Sequence, residues 1–257
     1  MIAILRPPRT GRTGISLRGL IPTPIRRRLS PIRRHYTDWR RRRPPNLGDL
    51  RRTTPIDANW GFERGTPIDR IYVDRFIGEW FRDIRGHVLE IAAPDYTTRF
   101  GSGVERVDIL MAAEGNSLAT IVADLTDAPQ IPDNTFDCAI VVQTLQYVYD
   151  VKAAIATLHR ILAPEGVLLA TVPGLTKISP PENEVFGEWW HYTSRSVRRL
   201  AEEAFGEGNV EVVSYGNVLV AAGFLYGLAA SDLSPAELDA HDPLYEVVVG
   251  LRAVKRS

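Results

Sequence analysis

The stretch VLEIAAPDYTTRFG, Val88 to Gly101, starts like a strand and turn built to receive a nucleotide: a short apolar run, the carboxylate Glu90, one more apolar residue, then a turn. The turn has no glycine. Ala92, Ala93, Pro94 and Asp95 stand where glycines ordinarily let the backbone approach a ligand. Alanine still permits fairly close approach but is strained wherever φ is positive, and Pro94 lacks the N–H that could have faced a ligand. A dinucleotide pyrophosphate needs G-x-G-x-x-G geometry, so a dehydrogenase is disfavoured. Two further carboxylates sit in apolar segments, Asp108 in RVDIL and Asp124 in VADL. Downstream, Tyr147, His191 and Tyr192 can move a proton, and His191 has the ordinary pKa best suited to neutral pH. The single cysteine, Cys138, lies inside an apolar run, so it can form no intrachain disulfide and no metal cluster is expected.

The elements that must carry these groups alternate. From Ile71, apolar residues at 73, 76, 77, 80, 81 and 84 recur at helical spacing. Strands are expected over GHVLEIA (86–92), VERVDIL (104–110), ATIVADL (119–125) and FDCAIVVQTL (136–145), the last apolar on both faces as in a covered parallel sheet. Asp150 is placed to N-cap a helix with Val151, Ala154, Ile155, Leu158, Ile161 and Leu162 on one face, stopped by APEG. VLLATVPG (167–174) reads as a fifth strand, and a helix opened by Thr193 or Ser194 runs through Val197, Leu200, Ala201, Ala204 and Phe205. NVEVVSYG and YEVVVGLRAVK read as the last strands, with the apolar segment NVLVAAGFLYGLAA as a helix between them. The alternation predicts a doubly wound α/β fold around a mostly parallel, seven-stranded sheet, with its ligand crevice at the carboxyl ends of the strands.

With 257 residues, 44% of them hydrophobic, the chain can bury a full core. Its first 52 residues have a different character: fifteen arginines against Asp38 and Asp49, punctuated by prolines, in a chain whose net charge is zero. The expected division is an Arg/Pro-rich extension, 1–52, peripheral or disordered on its own, and a folded domain, 53–257. The extension reads either as a solvated tail or as an electrostatic contact with anionic lipid, a phosphorylated polymer or an acidic partner. Nucleic acid is the weaker choice, because no nucleic-acid fold motif accompanies the charge. An arginine-rich, acid-poor start also mimics an organellar transit peptide. No apolar stretch reaches the roughly 18 to 20 residues of a membrane span, and MIAIL is too short for a secretory core, so a cytoplasmic protein is expected.

Residues 86–205 resemble a class I S-adenosylmethionine-dependent methyltransferase. HVLEIAAPD stands where that family has its first strand, acidic residue and glycine loop, and Asp108 in RVDIL where an acid ends strand two. VADLTDAPQIPDNTFDCAIVVQTLQYVYD is similar to the run from an acidic residue through a proline-containing loop into strand four. LHRILAPEGVLLATVPG matches the following helix, turn and fifth strand, and EWWHYTSRSVRRLAEEAF resembles the substrate-side loop and its helix. The resemblance extends to a bacterial subgroup, often found near glycosyltransferases, that has a degenerate EIG turn followed by YT.

The resemblance implies S-adenosylmethionine as cofactor and a Rossmann-like methyltransferase fold. Glu90 would lie near the methionine ammonium or hold the turn. Asp108 would accept from the ribose hydroxyls, although it follows Glu90 more closely than is usual and Glu114 is a rival. Asp124 would accept from the adenine amine beside the Leu125 backbone N–H. Gln143, with Val141 and Val142, would line the methionine end, while Asp95 or the Tyr96 ring would compensate for the turn at Ala92. The chain departs from the family where Gln146 and Tyr147 replace a common Glu-His, and His159 resembles a helix histidine of structural role. The implied activity is methyl transfer to a small-molecule or glycan acceptor, with His191, Tyr192 or Tyr147 as the base that a hydroxyl acceptor needs. The competing reading is a non-catalytic module of the same fold that has lost cofactor binding and acts as a partner or scaffold.

Overall fold

The computed structural model describes residues 46–256. The arginine-rich run up to Arg43, with every role expected of it, lies outside the described residues. The chain divides into two units at Arg52. The described part of the first is residues 46–52, in which Gly48–Arg51 makes one 3-10 turn with no buried residue.

The second unit holds one sheet of seven strands in the order β3-β2-β1-β4-β5-β7-β6. They are β1 Gly86–Ile91, β2 Val104–Met111, β3 Ile121–Val122, β4 Phe136–Val142, β5 Leu162–Pro173, β6 Val210–Tyr215 and β7 Val248–Val254. The first five pair parallel, and β7 runs antiparallel to both of its neighbours. This is the doubly wound, mostly parallel sheet predicted from the alternation. The helices are α1 Ile68–Glu79, α2 Asp95–Phe100, α3 Val151–Ile161, α4 Pro180–Phe186, α5 Ser194–Phe205, α6 Val218–Tyr226 and α7 Pro235–Asp239.

Adjacent strand residues feed opposite cores, which is why β1 and β4 read as continuous apolar runs. Leu89 and Ala139 pack with Ile155 and Leu158 of α3 and Val197 and Phe205 of α5. Val88 and Cys138 pack with Tyr72 and Phe76 of α1 and Val220 and Phe224 of α6. Complete burial pushes the Cys138 thiol far above its ordinary pKa, so it remains protonated.

Asp150 caps α3, its Oδ1 accepting from Ala153 N at 3.1 Å. Of the two residues at the start of α5, Thr193 is the cap, in a reciprocal capping box with Ser196. Several boundaries differ from the sequence reading. The first helix begins at Ile68, after Pro67, and ends at Glu79, because Asp83 binds Arg252 Nε of β7 at 2.7 Å and the guanidinium covers the Trp80 ring, fixing a separate 3-10 turn. The third strand contracts to two residues, since the Thr120 hydroxyl is engaged with Asp108 and with Ile109 N. The fourth stops at Val142, because Gln143 takes φ 47°. APEG does not terminate a helix in a loop: β5 runs through it, with Glu165 at φ 63° and a shift in register against β4.

Candidate active site

Strand order reverses at β1, which lies between β2 and β4, and this is where a doubly wound sheet opens a crevice. A cleft of about 1010 Å³ occupies it, walled by Trp60, Phe62, Ile91, Leu110, Val142 and Val148. An adjoining hollow of about 590 Å³ shares Phe62, Arg70, Ile91, Ala92 and Val142 with the cleft and extends to Glu90, Asp95 and Tyr96.

The glycine-free turn does adopt left-handed backbone. Ala92 has φ 70°, and Asn116 Nδ2 holds the turn by donating to the Ala92 carbonyl at 2.7 Å. Glu90 is buried beneath it, each carboxylate oxygen accepting one amide at the start of α2: Tyr96 N at 2.8 Å and Thr97 N at 2.9 Å. Burial, opposed by these hydrogen bonds, holds the Glu90 carboxyl above its ordinary pKa. Glu90 thus contacts the turn by these two bonds and also lines the adjoining hollow. Among the described residues, five non-glycines have positive φ, and three of them, Trp60, Ala92 and Gln143, line the cleft. Backbone strain concentrated in this way is a property of functional sites. Ala92→Gly is expected to stabilise the fold by about 0.5–1 kcal/mol, the relief of left-handed strain exceeding the added chain entropy. Thermal denaturation checks this, and a lower melting temperature would show that the Ala92 methyl packs as core.

Asp108 is not at the cleft, which corrects its expected ribose contact. It pairs with Leu89 before the strand's end and is 4% exposed. His87 Nε2 lies 2.7 Å away, Thr120 Oγ1 2.8 Å and Arg106 Nη2 3.0 Å. Burial opposes its ionisation, but these three partners together hold its pKa below the ordinary carboxylate value. Met111 and Ala112 meet the cleft where β2 ends, and Glu114 is exposed outside the lining. The short spacing from Glu90 to Asp108 is the sequence sign of this departure. Asp95 opens into the adjoining hollow rather than the main cleft.

Asp124, Leu125 and Gln143 are brought together around the main cleft. Asp124 Oδ1 accepts from Thr126 N and Thr126 Oγ1, each at 2.8 Å, which fixes the carboxylate in a tight turn. Gln143 Nε2 and Gln146 Oε1 are buried with no hydrogen-bond partner among the described residues. So is Oδ1 of Asp69, in the first turn of α1. Burial pushes the Asp69 carboxyl above its ordinary pKa, opposed by Arg70 at 3.7 Å. Nothing in TPIDR distinguishes Asp69 from an ordinary first-turn acid; only its burial against the cleft does.

Within this sheet, residues 88–170 match the family described as Methyltransferase domain. This stretch of the chain is similar to a methyltransferase domain. No curated protein sequence matches it. Similar solved structures include a SAM-dependent methyltransferase from Archaeoglobus fulgidus, at 10% identity over 77% of this chain and 100% of that chain, TM-score 0.49. The YcgJ protein of Bacillus subtilis is 12% identical over 71% of this chain and 99% of that one, TM-score 0.43. A phosphoethanolamine N-methyltransferase 2 of Haemonchus contortus, in complex with S-adenosyl-L-methionine, is 13% identical over 79% of this chain and 61% of that one, TM-score 0.44.

The similarity to a methyltransferase domain points to S-adenosylmethionine as cofactor. The cleft suits it chemically: an unpartnered carboxylate oxygen and an unpartnered amide N–H are available for a zwitterionic end, and Asp124 is available for a donor on a base. Among the described residues, no carboxylate between β2 and β3 lines the cleft, since Glu114 lies outside it.

The proton-transfer candidates separate in space. Tyr147 lines the cleft, and burial holds its phenol above the ordinary pKa. Tyr192 is corrected: it is 7% exposed in the core, and its hydroxyl donates to Leu145 O at 2.9 Å. His191 does not line the cleft; its Nε2 lies 3.1 Å from Oε1 of Glu188, which does. Ser179 N donates to the other Glu188 oxygen at 2.7 Å, and the Glu188 side chain is 3% exposed. Glu188 is therefore the carboxylate that the sequence reading missed behind the more conspicuous His191. His159 packs edge-on against Phe205 and has no part in the site. Across the mouth, Lys177 Nζ sits 3.2 Å from the centre of the Trp60 ring, tying the segment after β5 to the loop before α1.

Proposed function

We propose that this chain transfers a methyl group from S-adenosylmethionine to a nucleophile on a small-molecule or glycan acceptor that enters past Tyr149 and Trp189. One observation carries the reading: Asp69 Oδ1 and Gln143 Nε2, both buried and unpartnered, line the same cleft as Asp124 and Leu125. Asp69 would take the cationic end of the methionyl group and Gln143 its carboxylate, while Asp124 and the Leu125 N–H would hold the adenine edge. Glu90 and Ala92 would shape the turn beneath it. The cofactor, when bound, supplies a methyl already activated by the sulfonium, so the chain's task is alignment and exclusion of water.

For a hydroxyl acceptor, Glu188 Oε1 would receive the proton. His191 Nε2, 3.1 Å from that oxygen, would accept the proton from it in turn, and Tyr147 would orient the acceptor by donation. The Arg/Pro-rich extension, 1–52, would add an electrostatic contact with an anionic surface to a cytoplasmic enzyme whose catalytic domain is 53–257. In the described residues no helix is long and apolar enough to cross a membrane.

Asp124→Ala tests the cofactor assignment. Losing a charge-assisted hydrogen bond should weaken S-adenosylhomocysteine binding by about 10- to 100-fold. Undiminished affinity in a folded variant would remove Asp124 from the site.

A further inference from the structure

A separate hollow of about 700 Å³ wraps the outer edge of β6 and shares no lining residue with the cleft. We propose that it is a phosphoryl-group binding site in which Arg75, Arg195 and Arg198 hold the anion. The three guanidinium groups arrive from two helices, Arg75 from α1 and the others from α5. A single carboxylate lines the hollow with them, Asp239, which lies 2.7 Å from Arg75.

Three arginines elsewhere in the domain are matched closely: Arg64, Arg160 and Arg252 each meet an aspartate at 2.7 Å. Arg195 makes no ion pair or hydrogen bond among the described residues. Arg198 is only 3.8 Å from Glu202 and instead donates to Val210 O at 3.1 Å, which holds its guanidinium at the strand edge. Arg195 also stands in the first turn of α5, where no acidic residue is present, so its charge opposes the helix dipole. Two like charges three residues apart on that helix repel each other as well. A bound dianion offsets all of these unfavourable terms, and guanidinium forks match its oxygens bidentately. His241, whose Nε2 is 3.4 Å from Ser214 Oγ, adds polar groups to the rim. The volume exceeds that of one phosphate, leaving room for an organic substituent.

The test is calorimetric titration of the full chain, without cofactor, with inorganic phosphate and with glucose 1-phosphate at constant ionic strength. Because the extension also carries arginines, variants decide the result. Saturable binding of either probe is expected, weakened at least about tenfold in Arg195→Gln and in Arg198→Gln. Arg199→Gln should bind like the wild type, since that residue faces Glu203 at 3.1 Å outside the hollow. The tighter of the two probes identifies free phosphate or a phosphate ester as the source of the group. Matching melting temperatures confirm that all three variants are folded. No saturation up to about 20 mM with either probe, or an equal loss in Arg199→Gln, overturns the site.

Discussion

Asp69→Asn is expected to raise the melting temperature while weakening S-adenosylhomocysteine binding at least about tenfold. One carboxylate oxygen of Asp69 is buried without a partner, and its ion pair with Arg70 is long, at 3.7 Å. Ionising it in the fold therefore has a cost that the ligand's cationic group would repay and that an amide does not incur. The sign of the pH dependence follows. The folded-state pKa lies above the unfolded one, so the stability contributed by the protonated form is fully present below the unfolded value. It is lost as pH rises through the folded value. The advantage of the asparagine variant should accordingly be greatest at neutral pH and fade in acid. A gain of about 1 kcal/mol corresponds to roughly 2–4 °C in a domain of this size. A fall in melting temperature with unchanged affinity would make Asp69 only a structural partner of Arg70.

Gly227→Ala should have the larger effect on stability. Gly227 closes α6 at φ 76°, and a Cβ there would meet the Asp57 carbonyl oxygen at 1.9 Å, a backbone atom with little freedom to move. Asp57 in turn shapes the cleft wall, its carboxylate accepting from Asn59 N at 2.6 Å and Glu63 N at 2.9 Å, with Trp60 between them. The substitution should destabilise by about 3–4 kcal/mol and displace Trp60 from Lys177, so cofactor affinity should fall with stability. Gly103→Ala is the control: φ is 74° there too, but nothing lies within 4 Å of the added carbon, so about 1 kcal/mol is expected. Equal melting temperatures for the two variants would mean that the wall yields and that Gly227 does not position it.

The sheet was legible because β1 and β4 carry apolar residues on both faces and α3 and α5 repeat at helical spacing, features that depend on near neighbours in the chain. The strain at the turn was legible too, since alanine stands where backbone geometry favours glycine, and Ala92 does take positive φ. Long-range partners were not. Asp108 reads as a strand-end ligand until His87 and Thr120, 21 and 12 residues away, are brought onto its oxygens. Tyr192 reads as a mouth residue until Leu145, 47 residues distant, accepts its hydroxyl. Asp69 and Glu188 show the converse: ordinary in sequence, they gain chemical interest only where the fold buries them beside a cavity. The continuation of β5 through APEG escaped for a related reason, since Glu165 N and Gly166 O bond to the distant Lys255 and override a local turn signal.

The central claim is that this turn without glycine, set above a cleft lined by no carboxylate between β2 and β3, still binds the methyl donor. Calorimetric titration of the folded full-length chain with S-adenosylhomocysteine tests it most directly. Saturable heat at one site per chain is expected. No heat at about millimolar ligand, corresponding to less than about 4 kcal/mol of binding, would contradict it and leave a methyltransferase fold that has lost its cofactor.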